Sequence, residues 1–419
     1  MTIAMILVFA ALLILAMPVG YALIISSGLA AITVGGMPAV AAVVKIFQPT
    51  QSFPLLAIPF FMLSGSLMMG GELGKRLIHF ATSLVGRFHG GLGQVTVVGS
   101  TVFGGVSGSA VAEASALGAM LIPWQKREGY PAAFAASATA SSSVIAGLIP
   151  PSIPLILFAT VSNQSIAALF MAGLIPGLLL CTGFMVTCYL SGRLRGFKRL
   201  TAKVTAKDIL QATLKAAPAL AMPAFIVVLL RAGIATPTEV SVLAVFYGLV
   251  VSSMIYRDLT IRRLYEALSH TAVTTGVVML VIAASNLVGY VLTVEAIPTQ
   301  VAEWALETLK SPVMIILMMN LIMLTVGMFL DLPAAILLLG PTFVAIGNAI
   351  GLDLVQLGVM MAVNLSIGLF TPPVGTTLFI AAAISREPVG RIARELWPFY
   401  LVAITVLGLI SFVPALTLY

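Results

Sequence analysis

Long apolar stretches recur along the chain and alternate with short polar, proline-rich or glycine-rich segments. Each stretch approaches the roughly 20 residues that an α-helix needs to cross the hydrocarbon core of a bilayer. In lipid, every backbone N–H and C=O must be hydrogen-bonded within the protein, which favours helices over isolated strands. The pattern therefore predicts an all-α polytopic membrane protein.

Composition supports this prediction and argues against a soluble class. Of the 419 residues, 60% are hydrophobic and 8% are charged, and the mean hydropathy is +1.14. A soluble protein of this length carries far more charge on its surface. Cys181 and Cys188 lie on one apolar segment, and the three histidines are scattered without the spacing of metal ligands. We expect no metal or redox cofactor.

Two proline-rich segments reveal an internal repeat. The segments 146-AGLIPPSIPLILFA-159 and 368-GLFTPPVGTTLFIA-381 align without a gap at an offset of 222 residues (368 − 146). The same offset pairs Gly105 with Gly327, Ser109 with Asp331, Gly118 with Gly340 and Ser142 with Asn364. One offset that holds over several motifs indicates a duplicated chain.

The distribution of charge favours an inverted repeat over a parallel one. The loop 193-RLRGFKRLTAKVTAK-207 contains six basic residues and no acid, so the positive-inside rule places it in the cytoplasm. When the spans are traced outward from this loop, only Lys45, Arg231 and Lys310 of the 21 Lys and Arg residues fall outside. We therefore expect an inverted repeat in the bacterial inner membrane, with both termini in the periplasm.

The expected halves are residues 1–208 and 209–419. In the first half we expect scaffold helices within 1–71, a cytoplasmic arm at 72–89, a re-entrant hairpin at 90–124, a broken helix at 131–160 and a helix at 166–192. In the second half we expect scaffold helices within 209–291, a periplasmic arm at 296–310, a re-entrant hairpin at 312–350, a broken helix at 355–384 and a helix at 392–418. Inverted repeats with broken helices are typical of transporters.

The proline breaks are candidate ion sites. Proline cannot donate to the helix ladder, so carbonyls of the preceding turn lose their partners. Such carbonyls, with nearby hydroxyls, suit a hard monovalent cation such as Na⁺. The two candidate Na⁺ sites are Gly105, Ser107, Gly147 and Ile149 in the first half, and Gly327, Gly368, Thr371 and Val374 in the second. A lone proline often only kinks a membrane helix. Two related breaks opposite glycine-rich turns favour the interpretation as ion-binding sites.

Two acids mark a candidate substrate and coupling site. Of the 14 acidic residues, only Glu113 and Asp331 lie within the apolar hairpins. A charge at the bilayer centre costs about 2.5–3.5 kcal/mol on insertion scales, so both are functional candidates, and we expect Glu113 to be the companion of Asp331. Asp331 could instead cap the helix that follows it. The full candidate set is Ser107, Ser109, Glu113, Ser142, Asp331 and Asn364, and we expect no basic residue within it.

An enzymatic alternative rests on one short pattern. Gly105-Val106-Ser107-Gly108 matches the Gly-x-Ser-Gly pattern of intramembrane serine proteases. A protease also needs a histidine on a neighbouring span, and only His270 is near one. A protease has no use for a duplicated site, so we expect a transporter and not an enzyme.

Longer motifs point to a known family. They are 52-SFPLLAIPFFMLSG-65, 107-SGSAVAE-113, 149-IPPSIP-154, 165-SIAALFMAGLIPG-177, 236-TPTE-239 and 371-TPPVG-375. Over essentially the whole chain, the sequence resembles the large membrane subunit of TRAP (tripartite ATP-independent periplasmic) transporters, in the ion transporter superfamily. The resemblance assigns ion or substrate roles to Ser107, Glu113, Gly327, Asp331, Gly368 and Thr371.

The resemblance also implies a mechanism and partners. It implies Na⁺-driven, elevator-type uptake of a carboxylate, in which a domain bearing the hairpins slides against a fixed scaffold, with no cofactor other than Na⁺ as coupling ion. The implied partners are a separate small membrane subunit of four helices and a periplasmic substrate-binding protein. Two positions depart from the family pattern: Glu113 stands where aspartate is frequent, and Ala146 where glycine is usual. The alternative is a carrier that works alone, such as a Na⁺/dicarboxylate symporter or an ion antiporter of related fold.

Overall fold

The computed structural model describes residues 1–69, 72–200 and 205–417, and within these ranges the chain is helical without a β-strand. The first half contains α1 (Thr2–Ile14), α2 (Val19–Leu29), α3 (Ala39–Phe47), α4 (Ala57–Met69), α5 (Glu72–Val85), α6 (Gly91–Ser107), α7 (Ala110–Arg127), α8 (Ala132–Ser142), α9 (Ile153–Ser162) and α10 (Ile166–Leu194). The second contains α11 (Ala206–Arg231), α12 (Pro237–Val250), α13 (Ile261–Val294), α14 (Ile297–Leu309), α15 (Pro312–Gly327), α16 (Leu332–Ala349), α17 (Leu354–Leu369), α18 (Thr376–Ser385), α19 (Val389–Glu395) and α20 (Trp397–Phe412). The predicted all-α fold is confirmed.

Several helices are long and apolar enough to cross a membrane. Among the described residues there are five: α10, α11, α12 with its π-helical extension to Ile255, α13 and α16. Two bent helix pairs raise the number to seven if each counts as one span: α3–α4 bends by 60° and α19–α20 by 57°. Most of the remaining apolar helices are shorter, as in a protein whose spans are broken near their middle.

The order of elements repeats, with a helical hairpin followed by a broken helix in each half. α7 and α8 begin at Ala110 and Ala132, and α16 and α17 begin at Leu332 and Leu354, again 222 residues later (332 − 110 and 354 − 132). The hairpins are α6–α7 and α15–α16, and the broken helices are α8–α9 and α17–α18. The orientation of the two halves relative to a membrane stays a prediction.

The halves differ at α3, a short helix within the region 1–71 where scaffold helices are expected. α3 lies in the register of the start of α13 (261 − 39 = 222), yet α13 runs unbroken from Ile261 to Val294. Pro49 and Pro54 separate α3 from α4, and the second half has Thr271 and Gly276 at these positions. Because proline interrupts the helix ladder, the first half bends where the second half continues.

The two breaks lie at the centre of the molecule, each against the other half. α8 packs against α18, and α9 packs against α16 and α17, while every residue of α17 from Val355 to Leu369 is buried. A second group of helices packs together: α2, α4, α12 and α13. This group contacts the two hairpins, through α4 on α6 and α13 on α16. This boundary between the two groups positions the site.

Candidate functional site

The first hairpin turns at a glycine that lies directly on the first proline break. α6 ends at Ser107, Gly108 follows with φ of +62°, and the Ser109 side chain accepts a hydrogen bond from the Ala112 N–H at the start of α7 (3.4 Å). A Cβ on Gly108 would overlap the carbonyl oxygen of Pro151. Both the positive φ and the close approach require glycine here.

The second hairpin places a free carboxylate at its tip. α15 ends at Gly327, and Asp331 occupies the N-cap position of α16. Its side chain makes no capping hydrogen bond, although aspartate at an N-cap usually accepts one from the helix. The capping alternative for Asp331 is therefore not realised in this structure.

In both halves the hairpin backbone touches the backbone of the break. A Cβ on Gly368 would overlap the carbonyl group of Gly327, so these two residues of the candidate second Na⁺ site are in direct contact. In the first half a Cβ on Gly104 would lie 2.7 Å from the Cα of Ala146, which is in the register of Gly368 (368 − 146 = 222). In the second half the contact places the Gly327 carbonyl oxygen directly against Gly368, and in the first half it brings the main chains of Gly104 and Ala146 together.

The other predicted ion ligands are distributed around these contacts. In the first half, Gly105 meets Ile149 (3.3 Å from a Gly105 Cβ to Ile149 Cγ2). In the second half, the Thr371 hydroxyl donates to the Ile367 carbonyl (2.6 Å), and Val374 is exposed. Ser107 and Gly147 line the cavity described next.

Ser366 is a further candidate ligand that lies outside the two predicted Na⁺ sites. A Cβ on Gly147 would lie 3.2 Å from the Ser366 hydroxyl, so Ser366 reaches the first-half break from the second half. Its hydroxyl is buried and has no hydrogen-bond partner among the described residues. The sequence feature that points to Ser366 is its position two residues before Gly368 in the second break.

A cavity of about 570 Å³ lies where the hairpin tips face α4 and α13. Three helix N-termini contribute to its wall: Ser109 and Ala110 at α7, Ile153 at α9, and Asp331 at α16. The free N–H groups of a helix N-terminus carry partial positive charge and attract anions. Asp331 is exposed and lines this space, so the hairpin side of the wall combines anion-attracting backbone with an acid.

The wall formed by α13 contains basic residues, contrary to the expectation that none lies in the site. Arg263 and His270 line the cavity together with Glu266. Arg263 Nη1 lies 2.9 Å from the Asp258 carboxylate, and His270 Nδ1 lies 3.5 Å from the Ser66 hydroxyl. His270 thus pairs with Ser66 and not with Ser107, which gives no support to the protease alternative.

The remaining predicted residues, Glu113, Ser142 and Asn364, lie behind the cavity wall. The Ser142 hydroxyl is 2.9 Å from the Ser100 hydroxyl of α6. Asn364 Nδ2 donates to the backbone carbonyl (3.0 Å) and the side-chain oxygen (2.8 Å) of Asn320 in α15. Ser142 and Asn364 therefore tie each break to the first leg of its own hairpin.

Glu113 is not the symmetry companion of Asp331. Asp331 is in the register of Ser109 (331 − 109 = 222), whereas Glu113 follows one turn later and is in the register of Ala335 (335 − 113 = 222). Asp331 faces the cavity, and Glu113 is fully buried. The two acids therefore occupy different environments.

Comparison with known proteins identifies the family. The family model described as "Tripartite ATP-independent periplasmic transporter, DctM component" matches residues 6–416. The C4-dicarboxylate TRAP transporter large permease protein DctM of Pseudomonas aeruginosa is 36% identical over 90% of this chain and 88% of its own length. The sialic acid TRAP transporter large permease protein SiaM of Vibrio cholerae is 36% identical over 97% of this chain and 95% of its own length.

A solved structure shares the fold. The YdaH transporter of Alcanivorax borkumensis matches with a TM-score of 0.61 over 88% of this chain and 86% of that chain, at 14% identity. At this identity the likeness concerns the fold alone. Because the family model and both permeases match nearly the whole sequence, this chain belongs to the DctM component family of tripartite ATP-independent periplasmic transporters and is a transport permease, not an enzyme.

Proposed function

We propose that this chain takes up an organic acid by a Na⁺-driven elevator mechanism. A periplasmic binding protein delivers the substrate, and a separate small membrane subunit of four helices completes the transporter in the inner membrane. The names of its relatives, which specify C4-dicarboxylate and sialic acid, support a carboxylate substrate. The identity of the carboxylate depends largely on the binding protein.

The observation that carries this proposal is the convergence of the N-termini of α7, α9 and α16 on one cavity. The three helix N-termini give this side of the wall a preference for anions, and Arg263 adds a basic side chain on the side formed by α13. The hydroxyls of Ser107 and Ser109 add hydrogen-bond donors beside them. A volume of about 570 Å³ accommodates a small organic acid, which is within the size range of ligand pockets.

Coupling to Na⁺ is supported by the oxygen-rich contacts beside the cavity. The Gly327–Gly368 contact and the Gly104–Ala146 contact bring the main chain of each hairpin against the main chain of a break, and the Gly327 carbonyl oxygen lies in the first of these contacts. Hard cations prefer such oxygen ligands. Bound Na⁺ would also offset the Asp331 carboxylate, so that the loaded site does not repel an anionic substrate.

The position of the cavity supports sliding of one group of helices against the other. Its wall comes from the hairpins and breaks on one side and from α4 and α13 on the other. Movement along this boundary would carry a bound substrate without opening the buried core around α17. Arg263 and Glu266, at the end of α13 that we place in the cytoplasm, form part of the wall, which corresponds to an inward-facing cavity.

Reconstituted uptake tests the proposal. The chain is placed in proteoliposomes with and without a cognate small subunit and a cognate binding protein. A thermal-shift screen of the binding protein against organic acids selects the substrate. We expect uptake only with both partners and an inward Na⁺ gradient. Uptake by this chain alone would support the stand-alone carrier instead, and uptake that is indifferent to Na⁺ would reject the coupling.

A further inference from the structure

Glu113 is a fully buried acid that the cavity does not use. Its relative exposure is 0%, and neither carboxyl oxygen has a hydrogen-bond partner among the described residues. It lies in the first turn of α7, and the Ser100 hydroxyl of α6 is beside it. An ionised carboxylate in such a place loses its hydration without any replacement.

Among the described residues, the segments that pack most closely against the helix of Glu113 contain no charge that could stabilise an anion. α7 packs mainly against α6, α8, α18 and the turn Ser143–Gly147, and none of these segments contains a charged residue. On α7 itself the basic residues Lys126 and Arg127 lie at the opposite end. The helical rise puts their backbones about 20 Å from Glu113, too far to form an ion pair.

The repeat provides an independent indication of what this position tolerates. The register partner of Glu113 is Ala335, which is also 0% exposed in the first turn of α16. The second half thus fills the same buried position with a neutral, apolar side chain. The acid that faces the cavity, Asp331, stands one turn earlier.

We propose that Glu113 is a proton-binding site: its carboxyl group is held as the neutral acid and takes no part in binding Na⁺ or the substrate anion. The bound proton makes the group a donor, and the Ser100 hydroxyl is an available acceptor. Ser100 in turn is hydrogen-bonded to Ser142 in the first break (2.9 Å), so Glu113 is a positioning residue that joins α7 to this polar contact. The neutral state of Glu113 is inferred from its packing alone. Only the expected effect of Glu113 variants on uptake rests on the proposed function.

Infrared spectroscopy of the reconstituted protein tests the protonation state directly. A protonated carboxyl group has a carbonyl-stretching band distinct from that of a carboxylate. Near neutral pH, we expect the wild type to show such a band, and Glu113→Gln to lack it. If the band is absent at neutral pH and appears only on acidification to the ordinary range of glutamate, Glu113 is a carboxylate and the proposal is wrong.

Uptake measurements provide a second readout. Because Gln matches the shape of the neutral acid, we expect Glu113→Gln to keep uptake within about twofold, with unchanged Na⁺ dependence. If Glu113 were an Na⁺ ligand or a charged coupling residue, the same change would lower uptake by about tenfold or more in folded protein and overturn the proposal.

A second variant keeps the test decisive if Glu113→Gln folds poorly. Glu113→Met is unbranched, similar in length and unable to ionise, so it too should lack the band and retain Na⁺-dependent uptake. Loss of uptake in folded Glu113→Met, together with a carboxylate band in the wild type, contradicts the proposal. Absence of uptake in the wild type would contradict the proposed function and leave the infrared result to decide the state of Glu113.

Discussion

Gly368 in the second break lies directly against the carbonyl group of Gly327 in the second hairpin, with no room for a side chain between them. The first half makes a related contact between Gly104 and Ala146. Because the hairpin and the break meet through their backbones, a change of one methyl group alters the spacing of every carbonyl in the contact.

Gly368→Ala should therefore abolish Na⁺-dependent uptake and lower the free energy of unfolding by about 1–3 kcal/mol, as overpacking does. The matched control is Gly408→Ala in α20, where an added Cβ meets nothing within 4 Å. There the higher helix propensity of alanine should leave stability unchanged or raise it by up to about 1 kcal/mol. Thermal unfolding in detergent measures the stability of the two variants, and uptake in proteoliposomes measures their transport. Equal stability and equal uptake in the two variants would contradict the close contact between Gly368 and Gly327.

Much of the fold could be predicted because prolines and glycines mark its special points. The expected hairpins at 90–124 and 312–350 correspond to α6–α7 and α15–α16. α3 could not be predicted as a separate helix, since a nine-residue segment that is apolar except for Lys45, between two proline-containing turns, carries no distinctive pattern. The start of α13 at Ile261 could not be predicted either, because its first turns, IRRLYEAL, are more polar than the rest of the span although they continue the helix.

The site was predictable in composition but not in arrangement. Sequence motifs selected Ser107, Ser109 and Asp331, which the structure places around one cavity. The burial of Glu113 and the presence of Arg263 in the wall depend on which face of a helix meets which neighbour. No periodicity resolves this in helices that are apolar on nearly every side.

Asn364 should contribute more to stability than Ser142, its register partner. Asn364→Leu leaves the Asn320 carbonyl and side-chain oxygen without their buried donor, which we expect to cost about 1–3 kcal/mol. Ser142→Ala removes one hydroxyl pair with Ser100, which should cost about 0.5–1.5 kcal/mol. Chemical or thermal unfolding of the two variants tests this order, and a reversed order would show that the Asn320 contact is not retained.

Asp258 should hold the start of α5 against α13. Its carboxylate accepts hydrogen bonds from the Glu72 N–H (2.8 Å) and from Arg263 (2.9 Å), and both charged side chains are largely shielded. Asp258→Ala should lower the free energy of unfolding by about 1–3 kcal/mol, because it removes the carboxylate that pairs with Arg263 and leaves the Glu72 N–H without its acceptor. Amide hydrogen exchange in the first turn of α5 should become faster.

The control for Asp258 is Arg262→Gln, on the same end of α13. Arg262 pairs with Glu266, and both side chains are exposed (88% and 57%). Solvent screens such a pair, so its loss should cost less than about 1 kcal/mol and leave exchange in α5 unchanged. If Arg262→Gln accelerated exchange in α5 as much as Asp258→Ala, the proposed attachment through Asp258 would be refuted.

A comparison of Asp331 with Asp353 distinguishes a role in binding from a role in helix capping. Both residues stand at N-cap positions of helices in the second half. Asp353 accepts a hydrogen bond from the Gln356 N–H (2.9 Å), whereas Asp331 caps nothing and faces the cavity. Asp353→Ala should lower the free energy of unfolding by about 0.5–2 kcal/mol and leave the Na⁺ dependence of uptake unchanged. Asp331→Ala should unfold like the wild type but lose Na⁺-dependent uptake, because the cavity then lacks its one exposed carboxylate at the hairpin tip. Normal uptake by Asp331→Ala, with a stability loss like that of Asp353→Ala, would mean that the acid acts only as a cap.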